Sequence, residues 1–152
     1  MKPTNTVLLL VEDNPAEAEL MIEALEGCSS FKEVHIARDG CEAIAFLKRQ
    51  SPFESAPQPD LILLDLNLPR KHGLEVLEEV KCDDSLKHIV VIVVTTSTAD
   101  ADVMKSYQLH ANWYLKKPSD WEEFTRMITM LSEFWSGVVV PPRNSGACGR
   151  DV

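Results

Sequence analysis

Short apolar runs alternate along the chain with longer amphipathic segments. Five runs have the length of strands, at residues 7–11, 34–37, 61–64, 89–94 and 113–115. The third and fourth runs contain only apolar residues, which is typical of parallel strands buried on both faces. Segments with apolar residues at helical spacing follow each run. This alternation predicts an α/β fold, with one doubly wound, five-stranded parallel sheet and helices on both faces.

Local signals predict where two of the helices begin. Asn14 can accept hydrogen bonds from the first turn of a helix that starts at Pro15, where the missing N–H costs nothing. Ser119 followed by Glu122 predicts a capping box at the start of the last helix. Three prolines within residues 51–59 predict a surface loop.

Composition narrows the class of protein. The 152 residues carry a formal net charge of -9, which argues against a nucleic-acid partner or an anionic membrane surface. The sequence contains neither an apolar run of membrane-spanning length nor an N-terminal export signal. The 4 cysteines are scattered and indicate neither a zinc site nor a disulfide framework. We expect one cytoplasmic domain over residues 1–136, followed by a C-terminal tail over residues 137–152.

Polar residues stand where four of the predicted strands end: Glu12 and Asp13, then Asp65, Thr95 and Lys117. In a sheet of order 2-1-3-4-5 the ends of strands one, three and four are adjacent. Three carboxylates would then converge, and each pair about 5 Å apart repels by roughly 3 kcal/mol at an effective dielectric of about 20. A Mg²⁺ ion with oxygen ligands would neutralise them, and the lysine supplies a second positive charge.

Each of these residues also has an ordinary structural explanation. Asp65 could cap a loop, Thr95 could fill a strand, Tyr114 could be a half-buried edge residue, and Lys117 could be a solvated charge. Their joint placement at strand ends is what indicates a functional site.

The combination resembles the receiver domain of two-component response regulators, over about residues 6–136. In that family an acidic pair follows strand one, a lone aspartate strand three, a threonine strand four and a Lys-Pro pair strand five. Pro69 and Gly73, which come shortly after Asp65, also fit its pattern. The resemblance implies a flavodoxin-like receiver fold.

The resemblance also implies roles for individual residues. Asp65 would accept a phosphoryl group from a histidine kinase. Glu12, Asp13, Asp65 and the backbone carbonyl of Asn67 would hold Mg²⁺. Lys117 would pair first with Asp65 and then with a phosphoryl oxygen. Metal and lysine would together neutralise the charge that develops during transfer.

Receivers act as switches, so the expected output is a conformational change. Thr95 would move its hydroxyl onto the phosphoryl group, and Tyr114 would turn inward, which would reshape the face made by helix four, strand five and helix five. The protein would be a signalling protein with Mg²⁺-dependent self-phosphorylation and autodephosphorylation. The alternative is a dimeric protein-interaction module that works irrespective of phosphate. A phosphatase is disfavoured because Asn67 leaves no second aspartate for general acid work.

Apolar residues cover about half the circumference of the last helix, wider than one sheet requires. One arc comprises Trp121, Phe124, Ile128, Leu131 and Trp135, and a second comprises Met127, Met130 and Phe134. A thicker core or a cover from the segment after Gly137 would explain the width. The sharper hypothesis is a homodimer through the region of Tyr107, Trp113, Met127, Met130 and Phe134.

Two segments resemble single-domain regulators that partner bacterial phytochromes. These are Leu-Asn-Leu-Pro-Arg-Lys at residues 66–71, and Glu-Phe-Trp at 133–135 with the Val-Val-Val-Pro-Pro that follows. This resemblance implies that a light-regulated histidine kinase is the phosphoryl donor, and that output goes through protein contacts and not through DNA. Candidate kinase contacts are Ala18, Met21, Ile22, Pro118 and Ser119, with a place in the core as the alternative for Met21.

Overall fold

The computed structural model describes residues 4–28 and 30–142 and contains five strands and five helices in strict alternation. The strands are β1 (Val7–Val11), β2 (Glu33–Ala37), β3 (Leu61–Leu64), β4 (Val90–Thr95) and β5 (Trp113–Lys116). The helices are α1 (Pro15–Cys28), α2 (Gly40–Leu47), α3 (Gly73–Cys82), α4 (Asp100–Gln108) and α5 (Trp121–Gly137). All strand pairs are parallel and the order is β2-β1-β3-β4-β5, so the predicted fold is confirmed.

The core has two halves, one on each face of the sheet. Alternate residues of β1 divide between them: Leu9 and Val11 pack with α2 and α3, whereas Leu8 and Leu10 pack with α1 and α5. The residues of β3 and β4 divide in the same way. Both faces of the central strands are therefore covered, which explains why these strands are apolar at every position.

The long helix α5 is fixed to the sheet by its buried arc. Ile128, Leu131 and Trp135 lie in the core, and the indole Nε1 of Trp135 donates a hydrogen bond of 2.8 Å to Oγ1 of buried Thr6. Trp121, which the periodicity places in the same arc, is 41% exposed at the start of the helix. The buried arc accounts for only part of the apolar surface of α5.

Local contacts define one end of α2 and one end of α5. α2 ends at Leu47, where the backbone N–H of Lys48 turns back to the helix, and Arg49 then adopts a positive φ of 54°. α5 is capped by Asp120, whose side chain accepts from the N–H of Glu122, so the predicted capping box at Ser119 is wrong.

The cap predicted at Asn14 is confirmed, since its Oδ1 accepts from the N–H of Glu17 at 3.1 Å. Part of the predicted tail, residues 143–152, lies outside the described residues. No helix in the described part of the chain has the length and apolarity needed to cross a bilayer.

Two glycines allow close packing at the edge where β3 ends. A Cβ on Gly73 would overlap the carbonyl oxygen of Asp65 and the Cα of Leu66. A Cβ on Gly40 would overlap the backbone of Lys71 in the same loop. The segment that follows Asp65 is thus held closely against its neighbours.

Candidate functional site

Strand register brings the predicted polar residues to one edge of the sheet. Val11 pairs with Leu64 and Leu64 with Val93, so the residues that follow β1 and β3 emerge side by side with the end of β4. The edge carries the buried polar side chains Glu12, Asp65, Thr95 and Lys117, and Asp13 stands exposed beside them.

Lys117 lies at the centre of this cluster. Its side chain is 4% exposed, and its ammonium Nζ donates to Glu12 Oε1 at 2.5 Å, to Glu17 Oε1 at 2.8 Å and to Asp65 Oδ2 at 3.0 Å. Burial alone would lower the pKa of Lys117, but the hydrogen bonds to the two glutamates outweigh it and hold the pKa above its usual range. The lysine is therefore a fixed positive charge surrounded by three carboxylates.

Both oxygens of Asp65 are engaged. Oδ1 accepts from the hydroxyl of Thr95 at 3.0 Å and from the backbone N–H of Asn67 at 3.1 Å, and Oδ2 accepts from Lys117. These contacts hold the carboxylate of Asp65 in the cluster, where one of its oxygens lies within 4.8 Å of oxygens of Glu12 and Asp13.

Among the described residues, Glu12, Asp13 and Asp65 form a group that could hold a metal ion, with one oxygen of each within 4.8 Å of the others. Burial raises the pKa of Glu12 to about 7 despite its bond to Lys117, and the charge of Asp65 adds to the rise. Burial is thus the main cost of a negative charge on Glu12, and Lys117 offsets only part of it. An all-oxygen donor set of this kind fits a hard divalent cation.

The structure brings together five of the predicted site residues and places two at its margin. Asn67 is exposed beside Asp65. Tyr114 is half-buried on β5, and its hydroxyl donates to the carbonyl of Ser97 at 2.8 Å. Burial raises the pKa of this phenol. Ser97 Oγ in turn donates to Asp102 Oδ2 of α4 at 2.6 Å, so the tyrosine is linked to the first turn of that helix.

Glu17 belongs to the site and was not predicted from the sequence. It lies in the first turn of α1, whereas the predicted carboxylates lie just after the ends of strands. The available signal is that this turn closely follows Glu12 and Asp13 at the end of β1.

A parallel sheet with an acidic pocket of this composition at its carboxyl edge defines a class of signalling domain. The chain belongs to the response regulator receiver family, whose receiver-domain model matches residues 8–129. The predicted resemblance to that family is confirmed.

Among its relatives is Response regulator Rcp1 of Synechocystis sp. (strain ATCC 27184 / PCC 6803 / Kazusa). It is 46% identical over 136 residues, which cover 90% of this chain and 92% of that protein. The crystal structure of the phosphorylated cyanobacterial phytochrome response regulator RcpA superposes with a TM-score of 0.88 at 41% identity, covering 92% of this chain and 100% of RcpA.

A crystal structure of Rcp1 with bound Mn²⁺ superposes with a TM-score of 0.86 at 45% identity, covering 91% of this chain and 99% of that chain. The predicted likeness to phytochrome response regulators is therefore confirmed.

Proposed function

We propose that this protein is a phospho-accepting switch in which Asp65 takes a phosphoryl group from a histidine kinase. The observation that carries the proposal is the setting of Asp65: a carboxylate at the carboxyl edge of the sheet, held by Thr95 and Lys117 beside a second pair of carboxylates. A nucleophilic carboxylate needs such fixed positive charge, because it must approach a phosphoryl group that is itself negative.

In the proposed step a carboxylate oxygen of Asp65 attacks the phosphorus atom of a phosphohistidine. The P–N bond breaks, its electron pair goes to the imidazole, and an acyl phosphate forms on Asp65. Lys117 then donates to a phosphoryl oxygen in place of the oxygen of Asp65. Glu12 and Glu17 keep the ammonium in position while its third proton changes partner.

We propose Mg²⁺ as the metal, held by Glu12, Asp13, Asp65 and the backbone carbonyl of Asn67. The all-oxygen donor set supports a hard cation, because oxygen ligands are those that Mg²⁺ prefers. When bound, Mg²⁺ neutralises charge on the transferring group. We extend the proposal to self-phosphorylation from small phosphodonors and to autodephosphorylation, in which water attacks the phosphorus and releases Asp65.

The switch we propose uses Thr95 and Tyr114. The hydroxyl of Thr95 now donates to Asp65 and would transfer that bond to a phosphoryl oxygen. A shift of the β4–α4 loop reaches Tyr114 through the carbonyl of Ser97 and reaches α4 through Asp102. Phosphorylation would in this way reshape the surface of α4, β5 and α5.

We propose a bacterial phytochrome, or a histidine kinase of that type, as the partner that supplies the phosphoryl group, and a cytoplasmic location for both. The similarity to RcpA, a phytochrome response regulator, supports this assignment. Of the predicted kinase contacts, Ile22, Pro118 and Ser119 have accessible surface. Ala18 and Met21 are each 1% exposed and belong to the core, so their prediction as contacts is wrong.

We also propose a homodimer through the outer face of α5 and β5, in the region of Tyr107, Trp113, Met127, Met130 and Phe134. All but Met127 are large exposed apolar residues, and the rings of Trp113 and Phe134 are 5.4 Å apart. A groove of about 510 Å³ runs between them, with Glu123 and Arg126 on its border. A twofold arrangement would pair these opposite charges across the interface.

This apolar face also favours the second candidate function, a dimeric interaction module that works irrespective of phosphate. The receiver function resides in residues 1–136 in either case, and residues 137–152 form the proposed tail.

Incubation with acetyl phosphate and Mg²⁺, followed by intact mass measurement, tests the proposed function. We expect one phosphoryl group on the wild type and none on Asp65→Asn, with Asp84→Asn as the matched control because Asp84 is fully exposed in a loop. Labelling of Asp65→Asn, or none on the wild type from any donor, would leave the interaction module as the better candidate.

A further inference from the structure

A fourth carboxylate stands at the mouth of the pocket. Oε1 of Glu17 lies 2.8 Å from Lys117 Nζ, and its side chain is 39% exposed, whereas that of Asp65 is 8% exposed. Glu17 is not part of the metal-binding group found among the described residues. The proposed metal site therefore does not include its charge, and in the transfer step Glu17 acts through its contact with Lys117, which it holds in position.

The contact with Lys117 brings Glu17 near the reacting group. A phosphoryl oxygen that accepts from the same ammonium lies about 2.8 Å from Nζ. The carboxylate of Glu17 is then within about 6 Å of that oxygen, a distance below the Debye length at physiological salt, about 8 Å. Its charge therefore acts on any phosphoryl group that enters the pocket.

The net charge of the pocket determines whether Glu17 helps to attract or to repel an incoming anion. Glu12, Asp13, Glu17 and Asp65 set four carboxylates against the single ammonium of Lys117. With a divalent cation in place, one negative charge remains in excess. Without Glu17 the pocket with its bound cation would be neutral. Glu17 therefore supplies the excess negative charge that makes the cation-bound pocket repel anions.

We propose that Glu17 is a specificity-determining residue that disfavours free anionic phosphodonors, so that the site selects a phosphoryl group presented by a docked protein. The proposal rests on the proposed phosphorylation of Asp65. The chemical step is the same for either donor: with acetyl phosphate an oxygen of Asp65 bonds to phosphorus, the bond from phosphorus to the acetyl oxygen breaks, and acetate leaves with the electron pair.

A protein donor can offset the repulsion, which a small ion cannot. A groove of about 300 Å³ adjoins Glu17 and Lys117, between α1 and the segment before α5. Its lining includes Leu20 and Trp121, which are 37% and 41% exposed. A large donor that covers these side chains gains free energy from buried apolar surface. Acetyl phosphate covers almost none of this apolar surface, so the negative charge of Glu17 repels it without compensation.

The test compares Glu17→Gln with the wild type, using acetyl phosphate, a dianion at neutral pH, with Mg²⁺ saturating for each variant. We expect the second-order rate constant of Asp65 phosphorylation to rise about three- to fivefold in Glu17→Gln. The substitution removes the repulsion between one unit charge and a dianion about 6 Å away, in screened and largely aqueous surroundings. The gain should shrink in about 1 M salt, where the Debye length is about 3 Å.

Two control variants accompany this measurement. Glu17→Asp keeps the charge and should therefore react more slowly than Glu17→Gln. Glu19→Gln removes an exposed glutamate of the same helix and should leave the rate unchanged.

A second readout separates charge from structure. Removing Glu17 should weaken Mg²⁺ binding by about two- to fourfold, because a negative charge near the cation is lost. Tryptophan fluorescence, to which Trp121 in the groove beside Lys117 contributes, can follow the titration. A faster reaction with a weaker metal site is the pattern that loosening of the structure does not produce.

Three results would overturn or reassign the inference. An unchanged rate in Glu17→Gln overturns it. A slower rate that Glu17→Asp restores would make Glu17 a positioning residue for Lys117. If neither the wild type nor Glu17→Gln takes a phosphoryl group from any donor, the proposed function of Asp65 fails first and the inference fails with it.

Discussion

The two edges of the sheet each hold a partly buried lysine, and the two lysines differ in their partners. At the amino edge, Lys81 donates to the carbonyl oxygens of Ile89 at 2.6 Å and Lys87 at 3.1 Å, and to Oδ1 of Asn112 at 3.3 Å. Burial lowers its pKa. At the carboxyl edge, Lys117 donates to three carboxylates, and its pKa is raised.

The difference shows which edge can do chemistry. Neutral carbonyl oxygens accept the hydrogen bonds of Lys81 but carry no net charge. At the amino edge the lysine therefore only connects α3 with β4 and with the segment before β5. Carboxylates around Lys117 exceed its single charge, and one of them, Glu12, is driven towards protonation. Such an unbalanced cluster can redistribute its bonds when a cation or a phosphoryl group arrives.

Replacing each lysine by methionine gives the largest expected contrast. Lys117→Met should slow phosphorylation of Asp65 at least about 100-fold, because a fixed positive charge at the transferring group is lost. Lys81→Met should leave that rate within about twofold but lower the free energy of unfolding by about 1–3 kcal/mol, since buried carbonyls lose their donor. Mass-resolved phosphorylation and urea unfolding measure the two effects.

Loss of phosphorylation in Lys81→Met, with the fold retained by circular dichroism, would contradict a purely structural role for Lys81. Retention of the normal rate by Lys117→Met would equally contradict the division between the edges.

A methyl group at Gly73 tests how closely the carboxyl edge is packed. Gly73→Ala should lower the free energy of unfolding by about 1–3 kcal/mol, because its Cβ overlaps the backbone of Asp65 and Leu66. Gly137→Ala is the matched control, since a Cβ there meets nothing within 4 Å. Urea unfolding of both variants suffices. Equal stability of the two would mean that the segment after Asp65 can shift without cost.

The raised pKa of Glu12 predicts a pH dependence for the metal-free protein. Between the ordinary value of 4.5 and the folded value of about 7, the folded state keeps a proton that the unfolded state has lost. The contribution of Glu12 to the free energy of unfolding should therefore be greatest below the ordinary pKa and fall, by up to about 3 kcal/mol, as the pH rises through 7.

Urea unfolding in a chelator at several pH values checks this dependence. Glu12→Gln should flatten it, because the amide does not titrate, and Mg²⁺ should oppose the loss most strongly at the higher pH. A free energy of unfolding that rises with pH in the wild type relative to Glu12→Gln over this window would contradict the assignment.

The carboxyl edge could be predicted from the sequence because parallel strands place their ends together. Asp65, Thr95 and Lys117 each follow an apolar run, and that rule alone brings them into one pocket. Glu17 could not be found in this way, since its reach to Lys117 depends on how α1 crosses the sheet. A periodic pattern gives the face of a helix but not the direction of its axis.

The outer arc of α5 shows a second limit. Ile128 and Met130 are both large and apolar, yet one has no exposure and the other is 62% exposed. Hydrophobicity gave a stripe about half the circumference wide, and only the packed structure divides it into a buried and an exposed part. The cap of the same helix was also misassigned, because Ser119 and Asp120 are neighbours that both suit the role.

The smallest expected effect is at Asp120, a carboxylate near the carboxyl edge that only caps a helix. Asp120 accepts from the N–H of Glu122 at 2.8 Å, whereas Ser119 precedes the cap. Asp120→Ala should lower the free energy of unfolding by about 1 kcal/mol, and Ser119→Ala should change it by less than about half of that. Both variants should phosphorylate normally, because neither side chain bonds to Lys117 in the described residues. A larger loss from Ser119→Ala in urea unfolding would restore the capping box, and slower phosphorylation of Asp120→Ala would add this carboxylate to the site.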